Sequence, residues 1–209
     1  MKKVASHALG CKVNQYESEA IAELFAEKGY EIVGIDDTAD VYIINTCTVT
    51  NFGDKKSRQL IRKVKRQNPE ATVVAIGCYA QTAPEDIKKI EGINLIVGTK
   101  GRADIVELVE NYKPENGVVC TVGEIAKERV FEKLSINKLS DRTRAYLKIQ
   151  DGCSQFCSYC IIPYARGPIR SRDPQDIAEE VKTLADNGFK EIILTGIHVA
   201  SYGKDLKGT

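Results

Sequence analysis

No apolar run among these 209 residues approaches the roughly 18 needed for a membrane-spanning helix, so the chain is not expected to cross a membrane. No signal peptide is recognisable either, because Lys2-Lys3-Val4-Ala5 already reads as the start of a strand. The expected setting is a reducing cytoplasm, where thiols bind metal instead of pairing. Seven cysteines are an odd count, which speaks against a disulfide framework. Charge of one sign is not in excess: 30 lysines and arginines face 29 aspartates and glutamates, so net charge selects no partner. Histidine is scarce, and His7 and His198 stand singly with no role assigned. No internal repeat or low-complexity tract is evident.

What the chain does have is a dense cysteine loop, Gly152-Cys-Ser-Gln-Phe-Cys-Ser-Tyr-Cys-Ile. Its C-x3-C-x2-C spacing can bring the thiolates of Cys153, Cys157 and Cys160 to one centre and leaves a fourth position empty. Closed zinc sites prefer four protein ligands, often as paired C-x2-C hooks. A four-iron cluster held by three cysteines keeps one iron open to a small molecule. The flat ring of Tyr159, between the second and third cysteines, can pack against a purine. A structural zinc knuckle and a metal-free reduced loop are the alternatives.

The first hundred residues alternate strand-like and helix-like stretches, the pattern of a parallel sheet covered by helices. Strands are expected at 3–9, 31–33, 41–45, 72–76 and 94–97. One helix is expected from Asn14 as N-cap, with Glu17 completing a capping box and Ala20, Ile21, Leu24 and Phe25 on one face. A second opens at Thr82-Ala83-Pro84-Glu85, and a third covers 102–109. The fold expected is α/β: a small flavodoxin-like doubly wound parallel sheet over 1–112, connecting chain over 113–142, and a second βα rhythm over 143–209. That last part has a strand at 145–149, a helix capped by Asp173 with Pro174 at its first position and Ile177, Val181 and Leu184 inward, and a strand at 191–195. A complete barrel of βα units takes about 200 residues, so a fragment of a partial barrel is expected.

Cys11, Cys47 and Cys78 each fall just after a predicted strand. In an open parallel sheet the carboxyl ends of the strands share one edge, where ligands bind. Three cysteines far apart in sequence therefore converge, and a second metal site is expected. Cys120 reads as an ordinary thiol. From 55 to 66, Lys55, Lys56, Arg58, Arg62, Lys63, Lys65 and Arg66 surround a narrow apolar stripe of Leu60, Ile61 and Val64. This is either a solvated helix surface or a phosphate-binding one. Arg166, Arg170 and Arg172 are second candidates for phosphate, or else bridge the two domains.

The cysteine loop resembles the signature of radical S-adenosylmethionine (SAM) enzymes. With the second three-cysteine group, the sequence resembles the amino-terminal half of a tRNA methylthiotransferase. The likeness runs through Leu9-Gly-Cys-Lys-Val-Asn-Gln-Tyr-Glu-Ser18, Asn45-Thr-Cys-Thr-Val49, Gly77-Cys-Tyr-Ala-Gln81, Lys148-Ile-Gln-Asp-Gly-Cys153 and Ile162-Pro-Tyr-Ala-Arg-Gly-Pro168.

The resemblance implies two 4Fe-4S clusters and SAM. Cys153, Cys157 and Cys160 would hold the cluster that cleaves the sulfonium to a 5'-deoxyadenosyl radical, and Cys11, Cys47 and Cys78 the one that holds or donates sulfur. Tyr159 would lie near the cofactor's adenine, with Thr195 and Gly196 near its amino group. The product implied is a methylthio group on carbon 2 of adenosine 37 in a tRNA anticodon loop, and an electron donor of flavodoxin or ferredoxin type is required. Cys-Lys-Val-Asn with Glu-Ser, Ala-Arg-Gly-Pro and Leu-Thr-Gly-Ile-His resemble the threonylcarbamoyladenosine branch most; isopentenyladenosine in tRNA and an aspartate of a ribosomal protein are the substrates of the other two. Lys55, Arg58, Arg62 and Arg166 are the RNA-contact candidates. With most of the barrel absent, no turnover is expected from this stretch alone. A non-catalytic iron-sulfur or zinc protein that binds RNA is the reading from another class, and an electron carrier ranks below it, since carriers close each cluster with four cysteines.

Overall fold

The computed structural model describes residues 1–48, 51–136 and 143–206. Val49, the last residue of the Asn-Thr-Cys-Thr-Val motif, and the end of the expected connection, 137–142, lie outside the described residues.

The first unit runs β1 (Lys3–Ala8), α1 (Lys12–Glu27), β2 (Glu31–Val33), β3 (Val41–Thr46), α2 (Asn51–Gln67), β4 (Thr72–Gly77), α3 (Cys78–Thr82), α4 (Pro84–Lys88), β5 (Leu95–Ile96), α5 (Ile105–Glu110) and β6 (Val119–Cys120). All six strands are parallel, in the order β2-β1-β3-β4-β5-β6. Its first five are the doubly wound flavodoxin-like order, with the reversal of direction between β1 and β3.

A sheet buried on both faces needs continuous apolar strands. Every residue of β3 is buried, and alternate side chains serve opposite layers. Tyr42, Ile44, Val73 and Ala75 pack with Ile61 and Val64 of α2 and Ile87 of α4. Val41, Ile43, Val74 and Ile76 pack with Ile21 and Phe25 of α1 and Ile105 and Val109 of α5.

The second unit contains β7 (Arg144–Asp151), α6 (Ile162–Arg166), β8 (Arg170–Ser171), α7 (Pro174–Asp186) and β9 (Glu191–Gly196). β7 is central, parallel to β9 and antiparallel to the two-residue β8. Leu147, Ile149, Leu184 and Phe189 form its core together with Tyr16 and Ala20 of α1. α1 is therefore shared: one face lies on the first sheet and another on the second unit.

Asp173 caps α7 as expected, accepting from the Gln175 amide at 2.8 Å, with Pro174 at the first position. Ile177, Val181 and Leu184 face inward. Asp173→Ala is expected to lower stability by about 1 kcal/mol, seen in urea as a lower midpoint at unchanged slope. An unmoved midpoint would mean that the Asp173 cap contributes nothing to stability.

Three local expectations fail. α1 starts two residues before Asn14, with Cys11 in the N-cap position and no side-chain cap. Asn14 and Glu17 are instead fully buried. Thr82 Oγ1 donates back to the Cys78 carbonyl at 3.0 Å, leaving Ala83 as the uncapped N-cap of α4. The third helix begins at Ile105, not 102, because Arg102 is drawn into a buried ion cluster. In addition, chain read as connection supplies β6, which pairs with β5 at Leu95↔Val119 and Ile96↔Cys120. Cys120 is accordingly a partly buried strand residue packed on the core.

Candidate metal centres

Parallel strands put the turns after β1, β3 and β4 on one edge of the first sheet. Cys11 occupies the turn after β1, Cys47 follows β3 directly, and Cys78 is the first residue of α3. Cys11 and Cys47 thus flank the reversal of strand order, where open α/β sheets bind ligands.

Glycines allow these turns to close up. A Cβ on Gly10, whose φ is +102°, would stand 2.7 Å from Cys47 Sγ. One on Gly77, at φ +90°, would run into Asn45 and Thr46. Asn14 ties the edge together: its Nδ2 donates to the carbonyls of Leu9 (2.9 Å) and Thr46 (3.1 Å), and its Oδ1 stands 3.6 Å from Cys11 Sγ. Cys11 is exposed, Cys47 half-buried and Cys78 buried. Burial pushes the Cys78 thiol up, while Arg166 beside it pulls the other way and Cys11 adds to the rise.

Behind this edge lies a buried charge cluster that joins the units. Glu17 Oε1 meets Arg102 Nη1 and Arg166 Nη1 at 2.6 Å each and Lys148 Nζ at 2.9 Å. Asp151 meets Lys148 at 3.1 Å, Arg166 at 3.4 Å and Arg170 at 3.5 Å. Glu132 pairs with Arg102 at 2.6 Å. Burial alone would raise the carboxyl groups of Glu17 and Asp151. The cations win: Arg102, Arg166 and Lys148 hold Glu17, and Lys148, Arg166 and Arg170 hold Asp151, well below the usual carboxylate range.

The cations Arg102, Lys148, Arg166 and Arg170 outnumber the carboxylates Glu17, Glu132 and Asp151 in this set. One of these cations also reaches Cys78, whose Sγ accepts from Arg166 Nε at 3.2 Å. A donor set of thiols backed by buried positive charge fits an anionic, thiolate-held centre.

The second cysteine group begins where β7 ends. Gly152 turns at φ +70°, a conformation a side chain would block against Pro168, and Asp151 Oδ1 accepts from its amide at 2.8 Å. The Cys153 amide donates to the Gly167 carbonyl at 2.9 Å, and the Cys160 amide to the Cys157 carbonyl at 2.9 Å. Cys153 is buried, Cys160 half-buried and Cys157 exposed. Phe156 turns the loop at φ +47° and meets Tyr164 edge to face with ring centroids 5.9 Å apart.

Tyr159 is 91% exposed, so its ring covers nothing in the protein. Thr195 and Gly196 lie at the carboxyl end of β9, on the same sheet edge as the loop. Gly196 pairs with Gln150, whose Oε1 accepts from the His198 amide at 2.8 Å. His198 itself shares a hydrogen bond with Ser201 at 2.6 Å.

Among the described residues, no three His, Cys, Asp or Glu side chains are gathered closely enough to hold a single metal ion.

On α2, Ile61 and Val64 face the core, and Lys55 and Arg62 are exposed. Arg58 is half-buried: its Nη1 donates to Tyr79 OH at 2.9 Å, and its guanidinium lies 5.8 Å from that ring's centre. Lys63 pairs with Asp36 and Lys65 donates to the Ala71 carbonyl at 2.9 Å. The first turn of α2 presses on the cysteine edge, since a Cβ on Gly53 would stand 2.9 Å from the Cys47 carbonyl.

Arg166 requires a correction. It is fully buried and bound to Glu17, Asn14, Asp151 and Cys78, so no phosphate of an RNA reaches it. Arg170 and Arg172 are buried as well, Arg172 against Glu180 at 2.5 Å. Arg166 joins the two units, whereas Arg170 and Arg172 pair with Asp151 and Glu180 inside the second. Sequence reasoning overlooked Glu17, Lys148 and Asp151; a lysine inside the strand Tyr-Leu-Lys-Ile was the available signal.

Two family profiles divide the chain along the same lines. Residues 3–98 match Uncharacterized protein family UPF0004, and residues 147–207 match the Radical SAM superfamily. The protein is thus a flavodoxin-like α/β unit followed by the start of a radical SAM fold. It is 53% identical over 207 residues to threonylcarbamoyladenosine tRNA methylthiotransferase MtaB of Bacillus subtilis, covering 99% of this chain and 46% of that protein. To the protein of the same name from Aquifex aeolicus it is 44% identical, covering 97% and 50%. A tRNA-2-methylthio-N(6)-dimethylallyladenosine synthase of Clostridium novyi is 38% identical, with 95% and 45% covered.

The chain belongs to the radical SAM methylthiotransferase family, and it spans about half the length of these curated relatives. Membership implies SAM and iron-sulfur chemistry. No helix among the described residues is long and apolar enough to cross a membrane.

Proposed function

We propose that this chain is part of a cytoplasmic tRNA-modifying enzyme that places a methylthio group on carbon 2 of N6-threonylcarbamoyladenosine 37. The observation that carries the reading is the presence of two three-cysteine groups, each at the carboxyl edge of its own parallel strands, with one buried charge cluster between them. The choice of branch is supported by the relatives at 53% and 44% identity, both named for threonylcarbamoyladenosine, against 38% for the Clostridium relative named for dimethylallyladenosine.

In this reading Cys153, Cys157 and Cys160 hold one 4Fe-4S cluster and Cys11, Cys47 and Cys78 another. When bound, such clusters together with SAM supply radical chemistry at a carbon that side-chain acids and bases cannot activate. The chain's residues bind and orient. Tyr159 offers an uncovered ring to the cofactor's adenine, while Thr195 and Gly196 stand beside the loop for its amino group. Gln150 fixes the turn beneath, donating from Nε2 to the carbonyls of Asp151 (2.7 Å) and Gly152 (2.6 Å). The first unit comprises 1–112 together with β6, the remainder of 113–142 connects, and 143–209 begins the barrel.

The partner is a tRNA anticodon loop, whose unstacked base can be splayed into a pocket. An electron donor of flavodoxin or ferredoxin type completes the set. The test is an anaerobic assay of the full-length protein on tRNA carrying threonylcarbamoyladenosine or isopentenyladenosine, with nucleosides read by mass spectrometry. Methylthiolation of the first is expected; product only on the second would reassign the branch.

In this reading Lys55, Arg58 and Arg62, on the helix that follows the Cys47 turn, contact loop phosphates. Changing all three to Gln is expected to weaken tRNA binding at least tenfold and to lower the salt slope by about 2, the share of three single-strand phosphate contacts. Unchanged affinity and slope would leave α2 a solvated surface.

A further inference from the structure

Cys78, on the edge of the first sheet, is contacted from the other unit. Arg166 ends α6, in the radical SAM half, yet its buried guanidinium reaches three residues at the first sheet's edge. Nε donates to Cys78 Sγ at 3.2 Å, Nη2 to Asn14 Oδ1 at 2.5 Å and Nη1 to Glu17 Oε1 at 2.6 Å. The backbone of α6 is tied down beside it, because Thr99 Oγ1 donates to the Ala165 carbonyl at 2.7 Å. All the groups involved are buried, so Arg166 has no room to turn away. Its other carboxylate, Asp151, holds the Gly152 amide at the entry to the second cysteine loop. One guanidinium therefore touches a cysteine of one group and the support of the other.

We infer that Arg166 is a positioning residue for the centre held by Cys11, Cys47 and Cys78, orienting the Cys78 thiolate and raising that centre's reduction potential through its hydrogen bond and charge. This rests on the reading of those three cysteines as cluster ligands. Hydrogen bonds to ligand sulfurs and net charge are among the factors that set cluster potentials. Reduction adds negative charge beside Cys78, and a fixed buried cation favours the more negative state. Lysine keeps the charge but not the planar fork that reaches sulfur, amide and carboxylate together.

The test uses the anaerobically reconstituted chain with Cys153, Cys157 and Cys160 replaced by alanine, so that only the sulfur-side centre remains. Iron content and a redox titration followed by electron paramagnetic resonance are read for the parent, Arg166→Gln, Arg166→Lys and Arg102→Lys. Arg102 is equally buried on the same Glu17 and makes no hydrogen bond to a cysteine among the described contacts. Arg166→Gln is expected to make reduction about tenfold less favourable, about 59 mV lower for one electron. Arg166→Lys is expected to fall between it and the parent, and Arg102→Lys to match the parent.

If Arg166→Gln does not fold, judged by far-ultraviolet circular dichroism, Arg166→Lys decides alone. Full iron with an unmoved potential and an unchanged resonance spectrum in the Arg166 variants overturns the inference and leaves the cluster assignment standing. A parent that takes up no iron overturns the assignment, and the inference with it.

Discussion

Glu17→Gln is expected to destabilise the protein by about 3–5 kcal/mol, a large part of the 5–15 kcal/mol that holds typical domains folded. Gln keeps nearly the size and shape of Glu, so packing around α1 is preserved and the change isolates charge. In the native protein Glu17 is fully buried and answers Arg102, Arg166 and Lys148 at once. Assembling such a cluster gains little over an apolar core, because each ion is stripped of water. Removing the shared anion is a different matter: Arg166 and Lys148 lose their nearest counter-charge, Arg102 keeps only Glu132 of its two at 2.6 Å, and none can turn toward solvent.

Glu31 provides the contrast. Its pair with Lys3, at 3.8 Å, is roughly half exposed on both sides, and Glu31→Gln is expected to cost less than 1 kcal/mol. Urea unfolding of the two variants side by side checks this. Equal midpoints would mean that the buried cluster has no special claim on stability.

Replacing Cys153, Cys157 and Cys160 together by alanine is expected to halve the iron bound after anaerobic reconstitution, from about eight atoms per chain to about four. The complementary variant, with Cys11, Cys47 and Cys78 changed, is expected to leave about four as well. Independence is the structural content of this prediction. Each group is built on the strand ends of a different sheet, and no cysteine is shared. Zinc in place of iron would return the chain to a non-catalytic RNA-binding module. Loss of all iron from the first variant would deny Cys11, Cys47 and Cys78 their own centre.

The sheet of the first unit was legible because parallel strands buried on both faces leave long apolar runs, and Val41–Thr46 and Thr72–Gly77 are such runs. The placement of Cys11, Cys47 and Cys78 after strands followed from that alone, since a parallel sheet has only one carboxyl edge. The charge cluster was not legible, for a physical reason. Asn14 and Glu17 have the spacing of a capping box, and a local rule finds local partners. Two of the partners that bury them, Lys148 and Arg166, are 131 to 152 positions away. The strand at Val119 and Cys120 escaped because two residues carry no periodicity. Arg166 looked like a phosphate ligand because a basic residue in a Gly/Pro-rich turn reads as exposed, and only the packing of α6 against α3 encloses it.

The double-sided role of α1 also bears on how the protein is made. Ile21 and Phe25 find the first sheet soon after leaving the ribosome, whereas Tyr16 and Ala20 must wait for Leu147 and Ile149. At translation speeds of about 5–20 residues per second, that interval is on the order of ten seconds. Through it the nascent chain carries a bare apolar strip beside a Glu17 that has met Arg102 but not yet Lys148 or Arg166, a natural foothold for a chaperone and a point at which neighbouring nascent chains can adhere.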